Sequence, residues 1–132
     1  MGSMSGTSWE PGTSREKDND MKLITAVLQP SALSPVKAAL AAADITGMTV
    51  YEAKGHGAQA GKVEVYRSQK IFVEFLPKIS IEVIVTADKL DDALTAISKA
   101  AHTGQIGDGK IWVSEVSQVI RVRTGETDEE AI

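Results

Sequence analysis

The chain has 132 residues, of which 42% are apolar and only 5% aromatic, so its length and composition suit one domain with an aliphatic core. The net charge is −4, which argues against the basic surface that broad nucleic-acid binding requires. The chain has no cysteine and two histidines. This excludes disulfides, thiolate metal sites and thiol catalysis, and it leaves too few imidazoles for a histidine-based metal cluster.

Residues 1–20 differ in composition from the rest of the chain. They are rich in Gly, Ser, Thr and charge, with Trp9 as the main apolar group, and we expect a disordered extension or a vector-derived remnant. Residues 21–132 form the predicted domain. No apolar run approaches the roughly 20 residues that span a membrane, and no signal peptide is visible, so a cytoplasmic location is expected.

The first third of the domain predicts a strand, a helix and a second strand. Lys22–Leu28 is a short apolar run rich in strand-forming residues. Ser34 followed by Pro35 predicts a helix start with serine as N-cap and proline at the first helical position, and Gly47 is expected to end the helix. Met48–Lys54 is the second predicted strand.

The middle of the chain predicts a long exposed loop. Gly55–Gly61 contains three glycines, and Lys62–Lys70 shows no clean hydrophobic period. Loops of this length in a compact domain are usually functional or disordered. Two β-like runs follow, Ile71–Leu76 and Ile79–Thr86, and a Pro-Lys pair is expected to split them. The second run alternates apolar and polar residues, which is typical of a half-buried strand.

The clearest predicted helix is Ala87–Ala101, which has one apolar stripe and places Lys99 near its end, where a cation suits the helix dipole. A glycine-rich turn, Thr103–Lys110, comes next, then a strand, Ile111–Val116, and a short extended run, Val119–Val122. The order strand, helix, strand, long loop, strand, helix, strand predicts an α+β, ferredoxin-like βαββαβ fold.

One sheet with two helices leaves one of its faces without a cover. The first strand carries apolar residues on both faces, with Ile24 and Leu28 on one and Leu23 and Val27 on the other. A sheet that is apolar on both sides is normally covered on both sides. We therefore expect the second face to pack on other subunits.

The turn Thr103–Lys110 reads TGQIGDGK and is a candidate phosphate-binding segment. Its glycines let backbone N–H groups approach a phosphate, and its lysine supplies positive charge. It is not the common P-loop, because Ile111 follows Lys110. By itself the pattern fits a helix C-terminal turn capped by Gly104 equally well.

Two arginines form the second candidate feature. Arg121 and Arg123 alternate on the predicted extended run, so both guanidinium groups are expected on one face, where they suit a polyphosphate. Taken alone, a solvated edge strand with surface ion pairs is the favoured interpretation. The acids Asp128, Glu129 and Glu130 are expected to be solvated and not to form a catalytic pair.

Taken together, the two motifs resemble the PII nitrogen-regulatory signal transduction protein family. The resemblance extends over residues 21–132. The matching runs are MKLITAVLQP at Met21–Pro30, TGMTVYEAKGHG at Thr46–Gly57, FLPK at Phe75–Lys78, TGQIGDGKIWV at Thr103–Val113 and IRVRTGE at Ile120–Glu126.

The resemblance implies a homotrimer of ferredoxin-like subunits that binds ATP or ADP in the clefts between neighbours. It implies no enzyme activity and no catalytic residue. The loop Gly57–Glu74 would be the family's mobile effector loop. The nucleotide-binding residues that it implies are Thr49, Gly55, Thr103, Gly107, Asp108, Gly109, Lys110, Arg121 and Arg123, with Lys110 as the principal cation.

The resemblance also implies a second effector at the base of the loop. Mg²⁺ and 2-oxoglutarate join ATP there. Gln59 matches the family's magnesium ligand, and Gln59 and Lys78 match the residues that bind 2-oxoglutarate. ATP with 2-oxoglutarate would favour one loop conformation and ADP another. A protein partner, such as an ammonium transporter or an enzyme of nitrogen or carbon metabolism, would respond to the loop. No direct nucleic-acid binding is implied, and the membrane is involved only through a transporter.

Several positions depart from the family pattern. Ala58 and Ala60 stand where cations are common, and Ile71 stands where many members carry a modifiable tyrosine, so no nucleotidylation is expected there. These changes favour an alternative, a divergent paralogue that binds adenine nucleotide, has a changed or lost second effector and serves a dedicated partner. His56 is interpreted as an exposed loop histidine. An enzyme would need an evident base or nucleophile, and an RNA-binding module would need aromatic side chains on the sheet and a basic face. The sequence shows neither set of features, so both classes are disfavoured.

Overall fold

The computed structural model describes residues 21–56 and 75–132 in full, together with the backbone of two strands at 63–66 and 69–72. The predictions for residues 1–20 lie outside the described residues. The same holds for those that concern Ala58, Gln59 and Ala60, and for the side chain of Ile71.

The domain follows the predicted βαββαβ order with a hairpin added between its second and third sheet strands. The helices are α1 at Leu33–Ala42 and α2 at Leu90–Ala101. The strands are β1 at Met21–Leu28, β2 at Thr49–Gly55, β3 at Val63–Tyr66, β4 at Gln69–Phe72, β5 at Leu76–Thr86 and β6 at Gly109–Val116. The main sheet has the order β2-β5-β1-β6 with every pair antiparallel, which confirms the ferredoxin-like fold class.

The apolar core lies between this sheet and the two helices. The alternation predicted for the long central strand is confirmed, because Ile81, Val83 and Val85 are all almost fully buried. The helices contribute Leu40 and Ile97. Strands with a two-residue period and a helix with a 3.6-residue period each bury one face, so both patterns direct the same residues inward.

The opposite face of the sheet has no cover within one chain. On it, Leu23 and Val27 of the central strand β1 are only half-buried, and Tyr51 and Trp112 are 49% and 48% exposed. The predicted apolar character of both faces is therefore present, and the face beyond the helices is available for contact with another surface.

The expected break at Pro77 does not occur, since β5 runs continuously from Leu76 to Thr86. Strand β1 ends opposite Ile79, so β5 has a sheet neighbour on only one side near its start. A proline, which has no N–H, is tolerated where one side of a strand is open. The strand predicted at Ile71–Leu76 is also wrong in its bounds, because β4 and β5 occupy different parts of it.

The predicted excursion contains regular backbone. Strands β3 and β4 pair as an antiparallel hairpin that is separate from the main sheet. The sequence VEVY alternates β-branched and polar residues over a span too short for a clear period, which explains why the hairpin was not predicted.

The ends of α1 differ from the prediction. The helix begins at Leu33 with Ala32 as N-cap, so Pro35 lies inside the first turn, where its missing N–H removes no helical hydrogen bond. The helix ends before Gly47 is reached. Asp44 adopts a left-handed φ of 65°, and the N–H of Ile45 donates to the Leu40 carbonyl at 2.9 Å, a Schellman ending in which aspartate replaces the usual glycine.

Candidate functional site

The site predicted from the glycine-rich turn lies at one end of the main sheet. Strand β1 ends at Leu28, which is paired with Ile79 of β5 and Gly109 of β6. Strand β2 ends at Gly55 opposite Leu76. The end of β2, the start of β5 and the turn between α2 and β6 are therefore neighbours in space, although they are distant in the sequence.

Asp108 organises the glycine-rich turn from within. Its Oδ2 accepts the N–H of Thr103 at 2.7 Å and the N–H of Gly104 at 2.9 Å, and its Oδ1 accepts the Thr103 hydroxyl. The hydrogen bond from the Thr103 hydroxyl contributes most to lowering the pKa of Asp108 below its usual value, and the hydrogen bond from the Thr103 N–H contributes next. His102 Nδ1 lies 3.9 Å away and adds positive charge when protonated.

These contacts limit which backbone amides of the turn can bind an anion. The N–H of Gln105 donates to the Thr103 hydroxyl at 3.1 Å, so the first three amides of the turn are all engaged by Thr103 or Asp108. Asp108 was predicted to belong to the nucleotide site. Its geometry is that of a residue that holds the turn in shape, and a phosphate would have to approach through the later part of the turn.

The later glycines give the turn its path. Gly107 and Gly109 have φ values of 102° and 111°, which side-chain-bearing residues rarely adopt. A Cβ atom at Gly109 would lie 2.0 Å from the carbonyl oxygen of Val27, so only glycine lets β6 start this close to β1. Lys110 follows immediately, is paired with Val27 in the ladder and is exposed.

Lys78 joins the start of β5 to this turn. Its Nζ donates to the carbonyl oxygen of Gly107 at 3.0 Å. A Cβ atom at Gly55 would be 3.0 Å from Cγ of the Lys78 side chain, so that side chain passes directly over the end of β2. The structure thus brings together Gly55 and Gly107, which were proposed for the nucleotide, and Lys78, which was proposed for 2-oxoglutarate.

An open cleft of about 710 Å³ is lined by the paired end of β2 and start of β5, with Lys78 among the lining residues. Pro30, Lys54 and Phe75 contribute to its wall. His56 is exposed, as predicted, and its ring lies edge-on to that of Phe75 with 5.9 Å between centroids. Lys78 links this cleft to the glycine-rich turn, since it lines the cleft and its Nζ donates to the Gly107 carbonyl.

Thr49 does not join this group within one chain. It begins β2, whose seven residues span about 20 Å, and it is paired with Glu82 in the middle of β5. Tyr51 donates its hydroxyl to Glu82 Oε1 at 3.2 Å, and this hydrogen bond raises the pKa of Tyr51. Sequence reasoning did not single out Glu82 and Tyr51, because strand periodicity carries no information about which residues face each other across strands.

The two arginines occupy a loop and not an extended strand, so that part of the prediction is wrong. The N–H of Arg121 donates to the Glu126 carbonyl and the N–H of Gly125 to the Arg121 carbonyl, both at 2.8 Å, which curls the backbone through a turn that contains Arg123. The alternation that would place both guanidinium groups on one face is therefore lost. Both arginines remain exposed.

The guanidinium of Arg121 already has acidic and polar neighbours. Its Nε lies 3.8 Å from Glu126 Oε1, and its Nη2 donates to the carbonyl oxygen of Ile132 at 3.5 Å. Strand β6, whose eight residues span about 23 Å, carries the chain away from the glycine-rich turn before this loop begins. A single chain therefore holds the two candidate phosphate-binding features at different ends of the sheet.

The acids near the end of the chain are not all solvated, which corrects the prediction made for Asp128. Asp128 is only 2% exposed and accepts the N–H of Val119 through Oδ1 at 3.3 Å. Glu129 and Glu130 are exposed, as predicted. Three acids in a row predict an exposed, solvated segment. Asp128 is buried, unlike Glu129 and Glu130, because the loop folds back on Val119.

In residues 21–56 and 75–132, no group of three or more His, Cys, Asp or Glu side chains is arranged to hold a metal ion. None of the helices in the described parts of the chain is long and apolar enough to cross a membrane.

Comparison with known proteins identifies the class to which this fold and site belong. A family model described as nitrogen regulatory protein P-II matches residues 21–126. The chain therefore belongs to the P-II family, which confirms the resemblance proposed from the two motifs.

Individual relatives cover nearly the whole domain. The nitrogen regulatory protein GlnK of Escherichia coli is 50% identical over 112 residues, which is 85% of this chain and all of the relative. The nitrogen regulatory protein P-II of Klebsiella oxytoca is 52% identical over the same length and shares. A crystal structure of Arabidopsis thaliana PII bound to citrate has a TM-score of 0.72 and 34% identity, and covers 86% of this chain and 94% of that one.

Proposed function

We propose that this protein is a PII-type signal transduction protein that senses ATP or ADP together with 2-oxoglutarate and regulates nitrogen metabolism by binding a partner protein. The proposal rests on membership of the P-II family. One structural observation carries the sensing part. The Lys78 ammonium, proposed for the effector, is hydrogen-bonded to Gly107 of the turn proposed for the nucleotide. Both ligands would thus be sensed through one connected group of residues.

The nucleotide would bind between subunits. In one chain the glycine-rich turn with Lys110 and the loop with Arg121 and Arg123 lie at different ends of the sheet, so one chain offers only part of a polyphosphate site. A homotrimer in which each cleft takes the turn from one subunit and Thr49 and the arginines from its neighbour would complete the site. The uncovered, partly apolar sheet face supports such an assembly.

The second effector would bind beside Lys78. A dicarboxylate next to a triphosphate is stabilised by a lysine and a divalent cation, since both offset the repulsion between anions. Lys78 would supply the ammonium group. Gln59 is the protein ligand that the resemblance assigns to Mg²⁺, and the other Mg²⁺ ligands would come from the nucleotide and the effector.

The protein would act as a switch and not as an enzyme. Each ligand can shift the loop between its conformations only by its difference in affinity for them. A partner in the cytoplasm, such as an ammonium transporter or an enzyme of nitrogen or carbon metabolism, would then bind one loop conformation in preference to the other.

Isothermal titration calorimetry tests this proposal. MgATP is titrated into the purified full chain with and without 2-oxoglutarate, and light scattering after gel filtration measures the oligomeric state. We expect a trimer, MgATP binding, and 2-oxoglutarate binding only when MgATP is present. Lys110→Met should weaken nucleotide binding and Lys78→Met should abolish the 2-oxoglutarate response. The exposed Lys99→Met serves as the matched control and should change neither. A monomer that binds neither ligand would refute the proposal.

A second candidate function has a specific observation in its favour. Ala58 and Ala60 remove two cations that family members commonly carry near the effector, and the related Arabidopsis protein was crystallised with citrate. A paralogue that keeps adenine nucleotide but has a changed or lost second effector fits both facts. The same titration distinguishes the two functions, because a paralogue would bind nucleotide without any response to 2-oxoglutarate. Citrate is then the first alternative ligand to titrate.

A further inference from the structure

The loop that carries the two arginines is closed by a buried aspartate. Asp128 is 2% exposed and is the one charged side chain in the described residues that is buried to this degree. Its backbone φ is 58°, in the left-handed region that favours glycine and, among other residues, asparagine and aspartate. A buried charge and an unusual backbone at one residue indicate that the surrounding structure holds it firmly.

Asp128 binds both backbone groups of Val119. Its N–H donates to the Val119 carbonyl oxygen at 2.8 Å, and its Oδ1 accepts the Val119 N–H at 3.3 Å. The two hydrogen bonds fasten one end of the loop to the other. We call this pair the Asp128–Val119 clasp. An isolated bridge between Ile120 and Thr127 lies immediately inside it.

The clasp encloses the backbone contacts of Arg121. Both polar backbone groups of Arg121 are used inside the loop, its N–H by the Glu126 carbonyl and its carbonyl by the N–H of Gly125. Gly125 is buried and has a φ of 76°. The position of Arg121, and of Arg123 in the turn that follows, therefore depends on the closed state of the loop.

We propose that Asp128 is a positioning residue that presents Arg121 and Arg123 to the phosphates of the bound nucleotide. This inference rests on the proposed function, in which the arginines grip the phosphates. Asp128 would not touch the ligand. It would raise the fraction of molecules whose loop is closed before binding, and the apparent affinity falls in proportion when that fraction falls.

Three variants separate the backbone and side-chain roles of Asp128. Asp128→Asn keeps an oxygen acceptor and tolerates the left-handed backbone. Asp128→Gly keeps the backbone freedom but removes the acceptor, and it avoids the strain that would complicate an alanine variant. The exposed neighbour Glu130 supplies the matched control, Glu130→Ala. Circular dichroism melts first establish that each full-length variant is folded.

Two readouts are needed, of which one does not depend on nucleotide. Hydrogen exchange of the segment 117–128, followed by mass spectrometry, reports whether the clasp is closed. Calorimetric titration with MgATP and with adenosine reports whether closure matters for the phosphates. We expect Asp128→Gly to speed exchange of the segment, to weaken MgATP binding by roughly tenfold, as when the closed fraction falls to about one tenth, and to leave adenosine binding unchanged. Asp128→Asn and Glu130→Ala should stay within about twofold of the natural chain.

Each contrary result has a distinct meaning. Faster exchange in Asp128→Gly with unchanged MgATP affinity would overturn the positioning role, and so would an equal loss of MgATP and adenosine binding. Unchanged exchange in Asp128→Gly would show that the clasp does not depend on the carboxylate. If the natural chain binds no nucleotide, the proposed function fails, and the positioning role fails with it even where the exchange data show a clasp.

Discussion

Replacement of Gly109 by alanine tests the close approach between β6 and β1. The new Cβ atom would lie 2.0 Å from the carbonyl oxygen of Val27, where real contacts stay above 3.0 Å, so one strand must move by at least about 1 Å. The φ of 111° adds backbone strain of about 1–3 kcal/mol. Disruption of one ladder hydrogen bond near Leu28 adds about 1 kcal/mol. We therefore expect Gly109→Ala to lower the free energy of unfolding by about 2–4 kcal/mol.

Urea unfolding measures this loss directly. With a typical slope of about 2 kcal/mol per molar urea, the midpoint should fall by about 1–2 M. All samples need the same protein concentration, because an oligomer gains apparent stability with concentration. The control is Gly47→Ala, since a Cβ atom at Gly47 meets nothing within 4 Å and its φ is not positive. That change should be neutral or slightly stabilising. Equal midpoints for the two variants would refute the reasoning.

Three other substitutions test the site. Asp108→Asn should flatten the acid side of the stability profile measured by urea midpoints. The lowered pKa of Asp108 means that its contribution is present above the unfolded pKa, near 3.8, and is lost as the pH falls through the still lower folded value. Lys78→Met should loosen the turn at Gly107, seen as faster hydrogen exchange of the segment 103–109, and the 2-oxoglutarate response should disappear. Glu126→Gln should raise ADP affinity by about twofold to fivefold in calorimetry, since it removes the carboxylate that competes for Arg121.

Each of these has a matched surface control. Asp92→Asn, Lys99→Met and Glu130→Gln make the same chemical changes at exposed positions and should have little effect. An acid-side profile for Asp108→Asn that parallels that of Asp92→Asn would contradict the role given to Asp108. A turn that exchanges equally fast in Lys78→Met and Lys99→Met would contradict the link to Gly107. Weaker ADP binding in Glu126→Gln would show that Glu126 supports Arg121 instead of competing for it.

The regular elements could be predicted because their periods are local. The alternation in Ile79–Thr86 and the apolar stripe of α2 follow from which residues must face the core, and both were confirmed. The details that failed depend on neighbours in space. Whether Pro77 breaks a strand depends on where β1 ends, and whether Asp44 can end a helix depends on the hydrogen bonds that Ile45 makes afterwards.

The sequence proposes residues for the candidate site but not their geometry. The motifs named the glycine-rich turn and Lys78, but only the sheet order shows that they touch. The burial of Asp128 could not be foreseen from a run of three acids, since it requires a loop that returns to Val119. The curl of the backbone after Arg121 likewise comes from contacts with residues further along the chain, which override the extended tendency of the segment.

The hydrogen bond from Lys78 to Gly107 has a thermodynamic consequence for any pair of ligands that use this end of the sheet. An anion that recruits the Lys78 ammonium must compete with the Gly107 carbonyl, so the turn loses one of its restraints when that anion binds. A ligand that moves the turn alters the energy needed to withdraw the lysine. Because such a linkage is reciprocal, each ligand must change the affinity of the other by the same factor. Whether that factor is above or below one depends on whether the turn binds its ligand better or worse once the lysine has left.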